Sequence, residues 1–231
     1  MYASPTSSPK RCHLHQRRRR RRAAFLFLGN ARPSADYDRR KWRAELGFGD
    51  DAFVLAYFGF LNQSKGGEDL IAVLDALVQR GVDARLLMIG GDVGDSDPGN
   101  ADYARRVRRM IDERGLTERI VTTGYVDLPQ VSAHLLAADA ALMPYRDGVS
   151  FRRTTLIAAL SHGLPVVSVA PAVPLPQIIP GQNMLLAPSA DIPALTDAVL
   201  RVANDIDLRI VVRPSSSCVR LLENCYNCLG K

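Results

Sequence analysis

Through the middle of the chain, short apolar runs alternate with longer segments whose apolar residues recur every three or four positions. Runs of four to eight apolar residues bounded by glycine or proline read as buried strands, and the longer period reads as amphipathic helix. Strands are therefore expected over 53–60, 84–89, 119–123, 140–143, 165–170 and 183–187. Helices are expected over 37–46, 68–79, 101–114, 128–138, 151–162 and 191–204. Leu70, Ile71, Leu74, Leu77 and Val78 share one face of the second helix, and Ile192, Leu195, Val199 and Val202 one face of the last. Alternation of strand and helix with short connections predicts an α/β fold, a single Rossmann-like domain whose parallel sheet carries helices on both faces. In such folds ligands sit beyond the carboxyl ends of the strands.

Both ends depart from this pattern, which divides the chain into three parts. Residues 1–35 form a basic segment, Ser/Pro/Arg-rich at its start and expected to be disordered, residues 36–208 the folded domain, and residues 209–231 an irregular tail. A hydrophobic content of 47% with 23% charged residues is globular, and no apolar run approaches the length of a membrane span. The formal net charge is +6, and residues 17–22 are six consecutive arginines, so that run accounts for the whole excess. The domain itself is near neutral, and a basic nucleic-acid face is not demanded. The arginine run suits phosphates of RNA or anionic lipid, but no recognition module accompanies it. Nucleic acid is thus not an expected partner, and peripheral contact with a membrane stays open. Cys12, Cys218, Cys225 and Cys228 all lie in the terminal segments, so the domain needs neither disulfide nor metal, as suits a reducing cytoplasm.

Two connections carry candidate chemistry. The first strand runs into Gly59, Phe60, Leu61, Asn62, Gln63, Ser64, Lys65, Gly66 and Gly67, placing a lysine before two glycines at the mouth of a helix. Neither a Walker A loop nor a G-x-G-x-x-G fingerprint is present. The fourth strand ends at Pro144, and Asp147 with Gly148 supplies a turn. Ser150 is placed to cap a helix whose first turn holds Arg152, Arg153, Thr154 and Thr155. Free N–H groups, the positive dipole end, two guanidiniums and three hydroxyls there suit a phosphate or diphosphate. The alternative for that connection alone is an ordinary capped helix with a solvated arginine pair. Two such loops at one end of one sheet favour the anion.

The stretches AYFGFLNQSKGGEDLIAVLDAL, LLMIGG, IVTTGYVDLPQVSAHLLAADAALMPYRDGVSFRRTTLIAALSHGLPVVSV and NMLLAPSADIPALTDAVLRV together resemble the carboxyl-terminal, donor-binding domain of group 1, family 4-like retaining glycosyltransferases of the GT-B fold. The resemblance spans residues 36–207 and implies half of a GT-B architecture. It implies a nucleotide-diphosphate-sugar donor, transfer of the glycosyl group to an acceptor (a glycan, a lipid or a small molecule), and no cofactor or metal. It gives Lys65 the donor diphosphate, and Gly59, Gly148, Ser150, Arg152, Arg153, Thr154 and Thr155 are expected around the diphosphate and sugar. Gly124, Tyr125 and Val126 are expected near the base and ribose. The family's arginine five positions before the lysine is replaced by Phe60, for which Arg152 or Arg153 could substitute. Its two glutamates eight apart correspond to Ser150 and Ala158, which leaves Asp147 as the candidate catalytic carboxylate. Because the family carries an amino-terminal acceptor domain, the chain is expected to be a fragment lacking it. The expected location is cytoplasmic, with peripheral contact at the inner membrane face open. The alternative function is a non-catalytic sugar-nucleotide-binding or interaction module.

Other features have plainer readings. His134 is expected on a helix surface, and His162 at a helix carboxyl end, where it favours the dipole. Arg105, Arg106, Arg108 and Arg109 share their helix with Asp102, Asp112 and Glu113, as on a solvated face. The Cys225-x-x-Cys228 pair with Cys218 lacks a fourth zinc ligand nearby.

Overall fold

The computed structural model describes residues 31–91 and 98–211; the run 17–22, the four cysteines and residues 92–97 lie outside them. Six parallel strands, β1 (Phe53–Phe58), β2 (Ala84–Ile89), β3 (Ile120–Thr122), β4 (Ala140–Met143), β5 (Val166–Val169) and β6 (Leu185–Ala187), lie side by side in the order β3-β2-β1-β4-β5-β6. The helices are α1 (Arg39–Glu45), α2 (Gly67–Gln79), α3 (Pro98–Glu113), α4 (Leu128–Ala137), α5 (Thr154–Ser161), α6 (Ile192–Asn204) and α7 (Ile206–Val211). None is long and apolar enough to cross a membrane.

Successive side chains of a strand point to opposite faces of the sheet, and both faces are buried. Phe53, Leu55 and Tyr57 of β1 join Leu86 and Met88 of β2 in a core closed by Leu70 and Leu74 of α2, Tyr103 and Val107 of α3, and Leu195 and Val199 of α6. Val54 and Ala56 join Leu87, Ile89, Ala141 and Met143 in a second core, closed by Val131 and Leu135 of α4 and Leu156 and Leu160 of α5. The strands therefore read as largely apolar runs rather than alternating ones. β1 stops at Phe58, two residues short of expectation, because Gly59 leaves the sheet at φ 125°. Helix α7 lies where the pattern was expected to break off. Asp205 caps it by accepting the Leu208 N–H at 2.8 Å, and Arg209 turns back over the Phe53 ring.

Helix α1 is fixed to the amino-terminal side of the sheet by charge. Asp38 caps it, accepting the Lys41 N–H at 2.8 Å. Arg43, only 2% exposed, pairs with Asp139 at 3.1 Å and donates to the carbonyls of Ala137, Gly49 and Ala52. Arg39 reaches the other oxygen of Asp139 at 2.7 Å, while Asp139 accepts the Val54 N–H of β1 at 2.8 Å. Ala31, ahead of the expected boundary, is also buried.

His134 is not on a surface. It is buried, and its Nδ1 accepts the indole N–H of Trp42 at 3.0 Å, because α1 covers the face of α4 that a lone helix would expose. His162 does occupy the carboxyl-terminal cap of its helix, with Nδ1 2.7 Å from the Ala158 carbonyl and Nε2 2.8 Å from the Ser132 hydroxyl. Burial lowers the pKa of both rings, so His162 caps through hydrogen bonds and carries no charge at neutral pH.

Replacing Arg43 by Met is expected to cost about 3 kcal/mol, the low end of the range for breaking a buried pair, since Arg39 stays on Asp139. Urea melts read this directly, and an unchanged midpoint contradicts it. The two histidines give stability a defined pH dependence. Each takes up a proton near pH 6.5 when unfolded but only at lower pH when folded. Their contribution is therefore complete above 6.5 and declines as pH falls toward the folded values, by at most about 1.4 kcal/mol per pH unit per histidine. Melts at pH 8, 6.5 and 5 should show the decline, and His134→Gln should reduce its slope.

Candidate functional site

The winding of the sheet reverses between β1 and β4, so the connections leaving their carboxyl ends diverge and open a crevice. One wall is the β1–α2 connection. Asn62 starts it by accepting the Lys65 N–H at 3.0 Å, which closes a single 3-10 turn over Gln63–Lys65. Gly66 then adopts φ 68° with its α-carbon pressed on the other wall: a Cβ there would lie 2.0 Å from the carbonyl oxygen of Pro144. The second wall, the β4–α5 connection, grips the first through Arg146. Its N–H donates to the Ser64 carbonyl at 3.0 Å, and its guanidinium spans both oxygens of Asp69 at 3.0 and 3.1 Å and reaches Glu68 at 3.0 Å. The hydrogen bonding to Asp69 holds the Arg146 pKa above its ordinary value. Gly148, at φ 80°, seats this wall against the strand beyond; a Cβ there would lie 2.5 Å from the Ala170 carbonyl.

The remaining cations face the crevice. The position a Cβ would take on Gly59 is 2.7 Å from Lys65 Nζ and 3.4 Å from Thr155 Cγ2, so both connections meet at one point beside a bare backbone. Burial, then the nearby Arg153 charge, lowers the Lys65 pKa. Among the described residues no carboxylate lies within ion-pair distance of Lys65. The Phe60 ring, 47% exposed, lies 5.9 Å from its ammonium. Arg153, with a side chain only 16% exposed, lies 4.1 Å over the ring of Tyr145 and pairs with Asp147. Tyr145 is buried, and its hydroxyl sits 3.2 Å from Thr155 Oγ1 and 3.1 Å from Met143 Sδ. Burial raises its pKa, so it stays a neutral phenol. Helix α5 opens at Thr154 with no side chain capping it, leaving its first-turn N–H groups available at the crevice.

Of the residues named from the sequence, Gly59, Lys65, Arg153 and Thr155 converge, with Thr154 opening the helix between the last two. Gly148 supports the wall from behind. Ser150 does not cap α5. Its hydroxyl accepts the Arg152 N–H at 3.3 Å and its carbonyl accepts the Arg153 N–H at 3.1 Å, a local turn that delays the helix to Thr154. Arg152 and Arg153 consequently precede the first helical turn, and Arg152 is exposed. Gly124, at φ 66°, bridges Gly90, on which a Cβ would lie 3.6 Å from the Gly59 backbone, so the turn of Gly124, Tyr125 and Val126 lies on the same edge of the sheet. Tyr125 is 92% exposed there, and Val126 packs into the second core. Asp147 lies at the surface. Ala158 is fully buried in α5.

Tyr145 and Arg146 were not singled out by sequence, and Pro144 only as the end of the fourth strand. Arg146 meets acids 77 and 78 positions away, and nothing local distinguishes it from Arg152 or Arg153. Among the described residues no group of three or more His, Cys, Asp or Glu side chains is arranged to hold a metal ion.

Comparison with known proteins identifies the family and the fold. Residues 52–205 match the family model described as glycosyl transferases group 1. The chain is 26% identical over 166 residues to a GDP-mannose-dependent alpha-(1-6)-phosphatidylinositol monomannoside mannosyltransferase of Mycolicibacterium smegmatis, covering 70% of this chain and 41% of the relative. Among solved structures it is similar to Anabaena Alr3699/HepE in complex with UDP and glucose, with TM-score 0.69 and 19% identity over 89% of this chain and 54% of that one. It is also similar to the C-terminal domain of a group 1 glycosyl transferase (LpcC) of Francisella tularensis, with TM-score 0.66 and 16% identity over 86% of this chain and 97% of that domain. The chain thus spans less than half the length of the curated relative and about half of the HepE chain. On the family match, with this parallel sheet beneath it, the chain belongs to the group 1 glycosyl transferases.

Proposed function

We propose that the crevice between β1 and β4 binds the diphosphate of a nucleotide-activated sugar, and that the domain is the donor half of a family 4-like, retaining glycosyltransferase. The observation that carries this reading is the meeting of Lys65 and Thr155 at bare Gly59, with Arg153 alongside and the open amino terminus of α5 between them. An ammonium with no carboxylate partner among the described residues, in a partly desolvated crevice at a topological switch point, is matched by an anion. The similar proteins support this donor class: the mycobacterial relative is GDP-mannose-dependent, and HepE has been solved in complex with UDP-glucose.

In this reading the bond between the sugar's anomeric carbon and the diphosphate oxygen breaks and its electron pair leaves with the diphosphate, while the anomeric carbon bonds to an acceptor hydroxyl oxygen whose proton passes to the departing phosphate oxygen. Lys65, Arg153 and the first N–H groups of α5 lie where that charge accumulates, as preorganised stabilisation requires. The assignment needs no cofactor beyond the donor itself. Gly124, Tyr125 and Val126 are assigned to the base and ribose on the strength of their shared edge with Gly59 and Gly90. The acceptor, a glycan, a lipid or a small molecule, would meet the sugar above the rim. One observation favours the non-catalytic reading instead: Ser150 and the fully buried Ala158 stand where the resemblance calls for glutamates.

Lys65→Ala is expected to weaken UDP or GDP binding by about 1.5–3 kcal/mol, the range for a hydrogen bond to a charged group. Calorimetry measures this, and an unchanged affinity removes Lys65 from the site. Transfer assays with UDP- and GDP-sugars then separate the two readings, since a binding module returns nucleotide affinity without turnover. A second variant tests the wall contact. Gly66→Ala adds αL strain of about 1–3 kcal/mol and drives the two walls apart, so stability and nucleotide affinity should fall together. Gly81→Ala carries the same kind of strain at φ 81° in open space, and should lower stability alone.

A further inference from the structure

We propose that Asp147 is a built-in counter-ion, which pairs with the Arg153 guanidinium and is displaced when a diphosphate arrives. It is then a restraint on donor binding rather than the catalytic carboxylate. This rests on the donor-site reading above.

Three observations carry it. First, Arg153 does not need Asp147 to hold its place. Its guanidinium lies over the Tyr145 ring, and that ring is buried with its hydroxyl tied to Thr155 and Met143. A desolvated contact of this kind holds a guanidinium without an ion pair. Second, the two partners differ in exposure. The Arg153 side chain is 16% exposed and that of Asp147 is 60%, so the carboxylate returns to water by side-chain rotation alone. The backbone beneath it is held by Gly148 against the Ala170 carbonyl, so the turn itself does not have to move. Third, Asp147 pairs with no other cation of this wall among the described residues. Arg146, next to it, is saturated by Glu68 and Asp69, and among the described residues Asp147 pairs with Arg153 alone.

A carboxylate and a phosphate oxygen compete for the same N–H edge of a guanidinium. Exchanging Asp147 for a diphosphate trades an exposed ion pair of small worth for a charge-assisted contact shared with Lys65. While Asp147 remains nearby, its own charge also opposes the incoming anion. If it instead touched the transferred sugar, its loss would leave affinity for a sugar-free diphosphate unchanged.

The experiment is calorimetric titration of the 231-residue chain with inorganic pyrophosphate, UDP and GDP. The proteins compared are the unmodified chain, Asp147→Ser, Arg153→Ala, the double variant and Lys65→Ala. Asp147→Ser is expected to bind pyrophosphate about two- to fivefold more tightly at low ionic strength, the range of an exposed pair. That gain should shrink with added salt and disappear in the Arg153→Ala background. Equal or weaker pyrophosphate binding by Asp147→Ser overturns the proposal, as does a gain that persists without Arg153. Nucleotide binding that is lost in Lys65→Ala but unmoved by Asp147→Ser overturns this inference alone. Failure of every probe to bind any of the proteins overturns the donor-site reading with it.

Discussion

The contact between the α-carbon of Gly66 and the Pro144 carbonyl decides the shape of the crevice. No side chain fits between them, so the lysine-bearing turn and the arginine-bearing turn close on each other at backbone distance. Arg146 then fastens the two from the side, through Ser64, Glu68 and Asp69. These contacts convert two loops, ordinarily the most mobile parts of an α/β fold, into opposed walls. Lys65 and Thr155 meet at Gly59 because the walls behind them are fixed, and the free amino terminus of α5 is presented to the same space.

Charge at the rim is distributed in three grades, which explains why neighbouring basic residues have different roles. Arg146 is fully engaged by two carboxylates and acts as a fastener. Arg153 is engaged by one exposed carboxylate and one aromatic face, and stays exchangeable. Lys65 pairs with no carboxylate among the described residues, and its lowered pKa records the cost of keeping it charged there. Phe60, in place of the arginine that the resemblance leads one to expect, contributes a ring face near the ammonium instead of a second positive charge. In the proposed site, Arg153 on the second wall would stand in for the cation missing from the first.

Much of this was legible in the sequence, and the exceptions have physical causes. The strands at 84–89 and 140–143 could be read to the residue because they are buried on both faces and end at glycine or proline. The crevice was legible because Lys65, Gly66 and the Asp147, Gly148 turn follow strands directly. Ser150 misled because a serine three or four residues before a helix has two local options, capping it or closing a turn on Arg152 N–H, and local sequence does not choose. His134 misled because the partner that buries it, Trp42, lies 92 residues earlier in a segment rich in charge. The separate fates of Arg146, Arg152 and Arg153 were illegible for the same reason: each is set by tertiary neighbours, acidic for one, aromatic for another, and solvent for the third.

The central claim is that both walls bind one anion as a unit. Backbone amide resonances followed during a UDP titration of the isotope-labelled chain test this most directly. The account predicts that the amides of Gly59, Lys65 and Gly66 on one wall and of Thr154 and Thr155 on the other shift together, with a single dissociation constant. Shifts confined to one wall, or two walls titrating with different constants, would contradict it.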